Sequence, residues 1–169
     1  MTPEKLIRLA EEAMTRAYAP YSRYCVGAAL LAADGRVFLG CNIENAAFSP
    51  TICAERTAFV KAVSEGVRDF SAIAIVGGKG GRITGLFPPC GVCRQVMREF
   101  CGDGFLIYLG WPDGKYETRT MSDILPDSFK YVHSDISLLR LRRRGGCSGA
   151  GLARSRCSSF SSSACLPRM

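Results

Sequence analysis

The chain opens with an amphipathic pattern that changes to two apolar stretches. Between residues 3 and 18, apolar side chains recur every three or four positions, and Thr2 precedes a proline, which is typical of a helix start. The apolar stretches 25–32 and 36–43 flank an Asp-Gly pair, which accepts the positive φ angles of a tight turn. The pattern therefore predicts one helix followed by a β-hairpin.

Helical and strand patterns then alternate as far as residue 129. The predicted elements are helices at 53–66 and 90–101, strands at 71–78, 104–111 and 115–121, and a short helical turn within 121–129. The stretch 71–78 is continuously apolar and contains β-branched residues, which indicates a strand buried on both faces. Alternating helices and strands predict an α/β layered domain, and the opening hairpin makes its sheet mixed.

Charge divides the chain into two parts. The 169 residues have a net charge of +7, yet residues 1–133 hold 15 basic and 14 acidic side chains, whereas residues 134–169 hold seven arginines and one aspartate. The second part is also rich in Ser and Gly and has no useful periodicity, so we interpret it as a basic, disordered tail. An electrostatic case for nucleic acid binding therefore rests on the tail alone, and nucleic acid is not expected to bind residues 1–133, which we interpret as one globular domain.

The sequence gives no sign of export or membrane insertion. Its first 18 residues are charged and periodic, unlike a signal peptide. No apolar run approaches the roughly 20 residues that cross a bilayer. We therefore predict a cytoplasmic protein that does not enter a membrane.

Nine cysteines, an odd number, argue against a secreted disulfide framework. Three lie in the tail, and three lie in or beside apolar runs and are expected to be reduced core residues: Cys25, Cys41 and Cys101. The thiols left for chemistry are Cys53, Cys90 and Cys93.

These three thiols have the spacing of a zinc site. Cys90 and Cys93 form a Cys-x-x-Cys pair at the predicted start of one helix, and Cys53 stands at the predicted start of another. The positive end of a helix dipole favours the thiolate, so two facing helix starts could supply three sulfurs to one ion. Residues 1–133 hold no second such pair, and the one histidine, His133, is not an obvious ligand. We therefore favour three protein ligands and a water, the arrangement of a catalytic zinc.

Charged and polar residues follow the candidate ligands closely. Glu55 lies two residues after Cys53, where a carboxylate can take a proton from a zinc-bound water. Arg56 and Arg94 each follow a candidate ligand, Cys53 and Cys93 respectively. A guanidinium that donates to the sulfurs would offset the negative charge of the thiolates. Gln95 could also donate to a sulfur.

Four blocks of the sequence together resemble a known family. "VGAALL", "GCNIENAAF", "TICAERTA" and "PPCGVCRQVMREF" occur in the order found in the small homotetrameric zinc-dependent cytidine deaminases of pyrimidine salvage. The resemblance covers residues 3–130. It implies a three-layer α/β/α fold with a mixed five-stranded sheet, one Zn²⁺ per subunit, and residues 1–133 as the catalytic domain. It also implies hydrolysis of cytidine and deoxycytidine to uridine and deoxyuridine plus ammonia, by zinc-bound hydroxide with Glu55 as the proton shuttle.

The resemblance further implies a set of substrate contacts. Asn42 and Glu44 of "NIEN" would hold the ribose 3′-hydroxyl, and the Ala54 backbone would meet the carbonyl of the base. The aromatic residues implied around the substrate are Tyr24, Phe48 and Phe129. Tyr24 stands where the family is expected to have Phe, Phe48 stands where a Tyr is often found, and Phe129 would reach the site from a neighbouring subunit.

Other readings of the sequence stay open. Related deaminases act on blasticidin or on nucleic-acid bases, although "NIEN" favours a free nucleoside. The domain could instead be a structural zinc module that presents an RNA-binding basic tail, but Glu55 and the missing fourth ligand count against it. A third alternative is an inactive deaminase fold that only assembles with partners.

Overall fold

The computed structural model describes residues 1–130, so the predicted tail at 134–169 and its boundary with the domain lie outside the described residues. The helices are α1 (Pro3–Met14), α2 (Ala54–Ser64), α3 (Gly91–Phe100) and α4 (Met121–Ile124). The strands are β1 (Tyr24–Ala32), β2 (Val37–Cys41), β3 (Phe70–Lys79), β4 (Leu106–Gly110) and β5 (Tyr116–Thr120). Across this described part, no helix has the length and apolar character needed to span a membrane.

The strands form one mixed sheet in the order β2-β1-β3-β4-β5. β3 and β4 are parallel, and the other three neighbouring pairs are antiparallel. The parallel pair needs a crossover, which α3 supplies, whereas β1 and β2 are joined by the predicted tight turn with Gly35 at φ 91°. The predicted mixed five-stranded sheet is confirmed.

Each face of the sheet is covered by helix, so the domain has three layers. The alternation along β1 divides it: Ala28 and Leu30 face the core beneath α2 and α3, while Ala29 faces the core beneath α1. The α1 core is made of Leu6, Ile7, Ala10, Met14, Ala29, Ala72, Ala74 and Val76. The opposite core is larger and contains four packed phenylalanine rings, Phe59, Phe70, Phe100 and Phe105. In this three-layer packing, α2 and α3 lie on the same face of the sheet and share one core.

The first helix and the second strand both end earlier than predicted. The first helix ends at Met14 rather than residue 18, and the second strand ends at Cys41 rather than residue 43. The Tyr18 amide donates to the Asn42 carbonyl at 3.0 Å, and the Glu44 amide donates to the Tyr18 carbonyl at 2.8 Å. This pairing requires extended backbone at Tyr18, so the helix has to end before it. Asn42 stays bonded to β1, because its amide donates to the Val26 carbonyl at 3.2 Å.

The six described cysteines are all free thiols. Cys101 is buried, as expected of a core residue, whereas Cys25 is only half-buried at the edge of the α1 core. Cys41 is also half-buried, and its thiol donates to the Arg16 carbonyl at 3.3 Å.

A glycine in β2 allows α2 to lie directly on the sheet. A Cβ atom built on Gly40 would stand 2.2 Å from the Ala54 carbonyl oxygen and 2.5 Å from the Ala58 amide nitrogen. Both are backbone atoms of α2, so a side chain at residue 40 would have to push the helix away. Because Cys53 immediately precedes α2, its position depends on this close approach.

We predict that Gly40→Ala lowers the free energy of unfolding by about 3 kcal/mol, the upper range for overpacking a core. The displaced helix should also lower the zinc content of the purified protein. Urea unfolding and metal analysis measure the two effects. Gly104→Ala is the matched control, because a Cβ there meets nothing within 4 Å; equal effects of the two substitutions would show that the close approach is unimportant.

Candidate active site

Two helix starts bring the three candidate thiols together. Cys53 caps α2 and Cys90 caps α3, both with extended backbone, and Cys93 lies in the first turn of α3. The helices were predicted to begin at the cysteines themselves and instead begin one residue later. The Sγ atoms of Cys53 and Cys90 are 3.9 Å apart, and those of Cys90 and Cys93 are 3.4 Å apart. All three sulfurs lie within 4.8 Å of one another, the one such group of potential ligands among residues 1–130.

The spacing of the sulfurs suits zinc. Zn–S bonds of about 2.3 Å in a tetrahedron place sulfur atoms about 3.8 Å apart, close to the separations found here. The Cys93 amide also points to the Cys90 sulfur at 3.4 Å, so backbone helps to orient this ligand. Three protein donors are the number found in catalytic zinc sites. The residues present therefore fit a zinc ion.

The thiols differ in their readiness to lose a proton. Hydrogen bonding from Cys93 and then from Arg56 lowers the pKa of Cys53 to about 5, although burial opposes the shift. The same hydrogen bond and burial raise the pKa of Cys93. Without a metal, Cys53 is thus the thiol that ionises most readily. A cation at the cluster would favour loss of the protons of the other two thiols.

Arg56 lies where the sequence predicted a donor to sulfur. Its Nη2 is 3.6 Å from the Cys53 Sγ and donates to the Thr51 carbonyl at 3.0 Å. Its Nε is buried and has no hydrogen-bond partner within the described part of the chain. The carbonyl contact fixes the guanidinium beside the thiolate, where its charge offsets that of the sulfur. Tuning of a bound metal by Arg56 stays a prediction.

The other two predicted sulfur donors make hydrogen bonds elsewhere. Arg94 donates through Nε to the Pro89 carbonyl and through Nη1 to the Ile124 carbonyl, each at 2.7 Å. Gln95 donates to the Phe129 carbonyl at 3.1 Å. The contacts with Ile124 and Phe129 join α3 to the end of α4 and to the segment that follows it, a link that sequence spacing does not reveal.

Glu55 is the one charged residue among the buried positions of residues 1–130, with 4% of its surface exposed. It lies in the first turn of α2, two residues after Cys53. Burial raises the pKa of its carboxyl to about 7, and the neighbouring Cys53 thiolate acts in the same direction. A carboxyl with a pKa near neutrality can both accept and donate a proton. Glu55 therefore has the chemistry of a proton carrier, next to three sulfurs.

Asn42 and Glu44, which we call the polar clamp, follow β2. Asn42 binds the start of β1, and Glu44 binds the loop before β1. The Asn42 side chain accepts from the Val26 amide and donates to the Tyr24 carbonyl, both at 2.8 Å. The Glu44 carboxylate accepts hydrogen bonds from residues 21 and 22. Sequence reasoning missed Tyr21 and Ser22 here, because they are more than 20 positions from their partner and no local spacing connects them.

The predicted aromatic residues are placed differently from core phenylalanines. Phe48 and Phe129 are 74% and 72% exposed, and Tyr24 is 43% exposed. The Tyr24 ring lies 6.0 Å from the ring of Phe87, an aromatic that sequence reasoning missed, although it directly precedes "PPC". Ala54 is fully buried at the start of α2. Large exposed rings are typical of surfaces that a ligand or another subunit covers.

Comparisons with known proteins agree with this site. Residues 1–109 match the model of the cytidine and deoxycytidylate deaminase zinc-binding region. A cytidine deaminase of Sporosarcina psychrophila is 51% identical over 129 residues, covering 76% of this chain and 92% of that protein. One of Halalkalibacterium halodurans is 50% identical over 129 residues, covering 76% and 95%.

A solved structure of a cytidine deaminase also matches the fold of this chain. The crystal structure of cytidine deaminase from Burkholderia pseudomallei matches with a TM-score of 0.71 at 45% identity, over 76% of this chain and 100% of that chain. The family expected from the four sequence blocks is thus confirmed. With its three zinc-compatible thiols and buried glutamate, the chain belongs to the zinc-binding cytidine and deoxycytidylate deaminase family.

Proposed function

We propose that the chain hydrolyses cytidine and deoxycytidine to uridine and deoxyuridine, with release of ammonia. The observation that supports this best is a buried carboxyl, Glu55, at the same helix junction as three sulfurs with zinc spacing. A structural zinc module has no need of a buried acid whose pKa lies near 7. Relatives at 50% and 51% identity that bear the name cytidine deaminase support the substrate class.

Cys53, Cys90 and Cys93 would hold one Zn²⁺ per subunit. When bound, the ion supplies a Lewis acid that makes a water molecule acidic enough to attack at neutral pH. Three thiolates would leave the site with excess negative charge, which weakens that Lewis acid. Arg56, through its contact with the Cys53 sulfur, offsets part of this charge.

Glu55 moves the protons of the reaction. Its carboxylate accepts a proton from the attacking water and delivers it to N3 of the cytosine ring. As the C4–N bond breaks, the same carboxylate takes the proton of the hydroxyl now on C4 and passes it to the departing amino group, which leaves as ammonia while C4 becomes the carbonyl of uridine. One group performs both steps because its pKa lies near neutrality, so neither protonation state is strongly favoured.

The polar clamp would hold the ribose 3′-hydroxyl, and the Ala54 backbone would meet the carbonyl of the base. Tyr24, with Phe87 beside it, would present an aromatic surface to the base. Phe48 would add a contact from the loop after β2. A nucleoside held at sugar and base keeps C4 in one place, which favours attack by lowering the entropy cost of the reaction.

Phe129 supports a multimeric enzyme. Its ring is exposed on its own subunit, while its backbone is held by Gln95 on α3. We propose a homotetramer in which Phe129 closes the site of a neighbouring subunit over the pyrimidine. A cytoplasmic place in pyrimidine salvage stays a prediction, and nucleic acid contact is proposed only for the basic tail.

The first test compares substrates. We expect the protein to deaminate cytidine and deoxycytidine, and the loss of ultraviolet absorbance of the cytosine base measures the rate. A zinc chelator should suppress this activity. Cytidine monophosphate and blasticidin S are the controls for a nucleotide or antibiotic deaminase and should react far more slowly. Faster turnover of either control than of cytidine would contradict the proposed substrate.

Glu55→Gln should keep the zinc content and lower turnover by about 10³-fold, because an amide cannot exchange the proton. Metal analysis and the cytidine assay measure the two effects. Glu65→Gln is the control, an exposed acid at the end of the same helix. Full activity of Glu55→Gln would rule out this residue as the proton carrier.

A mixing experiment tests whether Phe129 serves a neighbouring site. Phe129→Ala and Glu55→Gln should each be nearly inactive alone. In mixed oligomers made by co-expression, a Glu55→Gln subunit still has Phe129, and a neighbouring Phe129→Ala subunit still has Glu55. Phe129 of the first subunit can then close the site of the second, so activity should return. If mixed oligomers stay as inactive as either parent, Phe129 acts within its own subunit or not at all.

A further inference from the structure

The Ser22 hydroxyl lies between two of the proposed substrate contacts. It donates to Oε1 of Glu44 at 2.5 Å and accepts from the Tyr24 amide at 3.0 Å. Oε2 of the same carboxylate accepts from the Tyr21 amide at 2.9 Å and the Ser22 amide at 3.3 Å. Ser22 thus contacts Glu44 twice, once through its backbone and once through its side chain.

The backbone around Ser22 is held in an unusual conformation. Arg23 has φ 61°, in the left-handed region that non-glycine residues seldom adopt. Its amide donates to the Ala19 carbonyl at 3.1 Å, and its carbonyl accepts from the Gly80 amide at 2.9 Å. Hydrogen bonds on both sides therefore hold this turn, and the turn aims the Ser22 hydroxyl at Glu44.

The Glu44 carboxylate is kept as an acceptor by these contacts. The Ser22 hydroxyl, followed by the amides of Tyr21 and Ser22, holds the pKa of Glu44 below its ordinary value. An ionised carboxylate accepts about four hydrogen bonds, and three are formed here, so capacity remains for one further donor. With three donors attached, the carboxylate has little freedom to rotate away from that donor.

We propose that Ser22 is a positioning residue that orients the Glu44 carboxylate toward the 3′-hydroxyl of the nucleoside, and so sets the preference for substrates that possess this group. The inference rests on the proposed function, in which Glu44 receives the ribose hydroxyl. It adds to that function a residue 22 positions away in sequence, which touches no substrate atom itself. Ser22 acts through the direction of one carboxylate.

The test measures this preference as the ratio of kcat/KM for 2′-deoxycytidine to kcat/KM for 2′,3′-dideoxycytidine, which differs from it only by the missing 3′-hydroxyl. Ser22→Ala should lower the ratio about tenfold, the effect of one hydrogen bond to a charged group, through a higher KM for deoxycytidine with little change in kcat. Ser22→Thr keeps the hydroxyl and should restore most of the ratio. In a Glu44→Gln background, Ser22→Ala should lower the ratio no further.

Ser64→Ala is the matched control, because it also removes an exposed hydroxyl that donates a hydrogen bond, in this case to the Lys61 carbonyl at the far end of α2. It should leave the ratio unchanged. Equal losses on both substrates after Ser22→Ala would indicate a merely structural role and overturn the proposal, as would an unchanged ratio. Failure of the proposed function would give a different result. Either Glu44→Gln would leave the preference for the 3′-hydroxyl intact, or the unaltered protein would not deaminate cytidine. In both cases the role proposed for Ser22 would also be ruled out.

Discussion

Three sulfur atoms within 4.8 Å of one another cannot all ionise unless something offsets their charge, and the rest of the site is arranged around this constraint. Each ligand cysteine lies at the positive end of a helix, and Arg56 adds a full positive charge beside Cys53. A divalent cation supplies what remains. The sheet makes the arrangement possible, because Gly40 lets α2 lie close enough for its first turn to meet that of α3.

The same junction buries Glu55, which an ordinary core would exclude. A carboxyl removed from water next to sulfurs is destabilised as an anion, and the rise of its pKa to about 7 is the consequence. Glu44 shows the opposite case, since donors from the loop before β1 lower the pKa of its carboxyl. Two acids eleven positions apart in sequence thus differ in chemistry: the setting of one suits proton transfer, and the other accepts hydrogen bonds.

Two residues with unusual backbone and two exposed aromatic rings lie among the proposed substrate contacts and the residues next to them. Arg23 and Phe48 both have positive φ angles, and the Phe48 and Phe129 rings are largely exposed. Local strain and uncovered apolar surface both cost stability, so their occurrence beside the proposed substrate contacts is consistent with function rather than packing. The fold supplies a rigid sheet, and the loops at its end supply the specific contacts.

The sequence by itself determined the elements and the metal site. Periodicity placed the helices and strands to within a few residues, and local spacing put Glu55 close to Cys53 and Cys93 close to Cys90, since residues on one helical turn must lie together. The packing of α2 and α3 brings these two groups to one place. Only the tertiary structure decided that α1 stops at Met14, that Arg94 and Gln95 bind backbone carbonyls, and that Ser22 meets Glu44. The physical reason is that these contacts join segments distant in sequence, whose proximity is set by strand order and layer packing rather than by any local spacing.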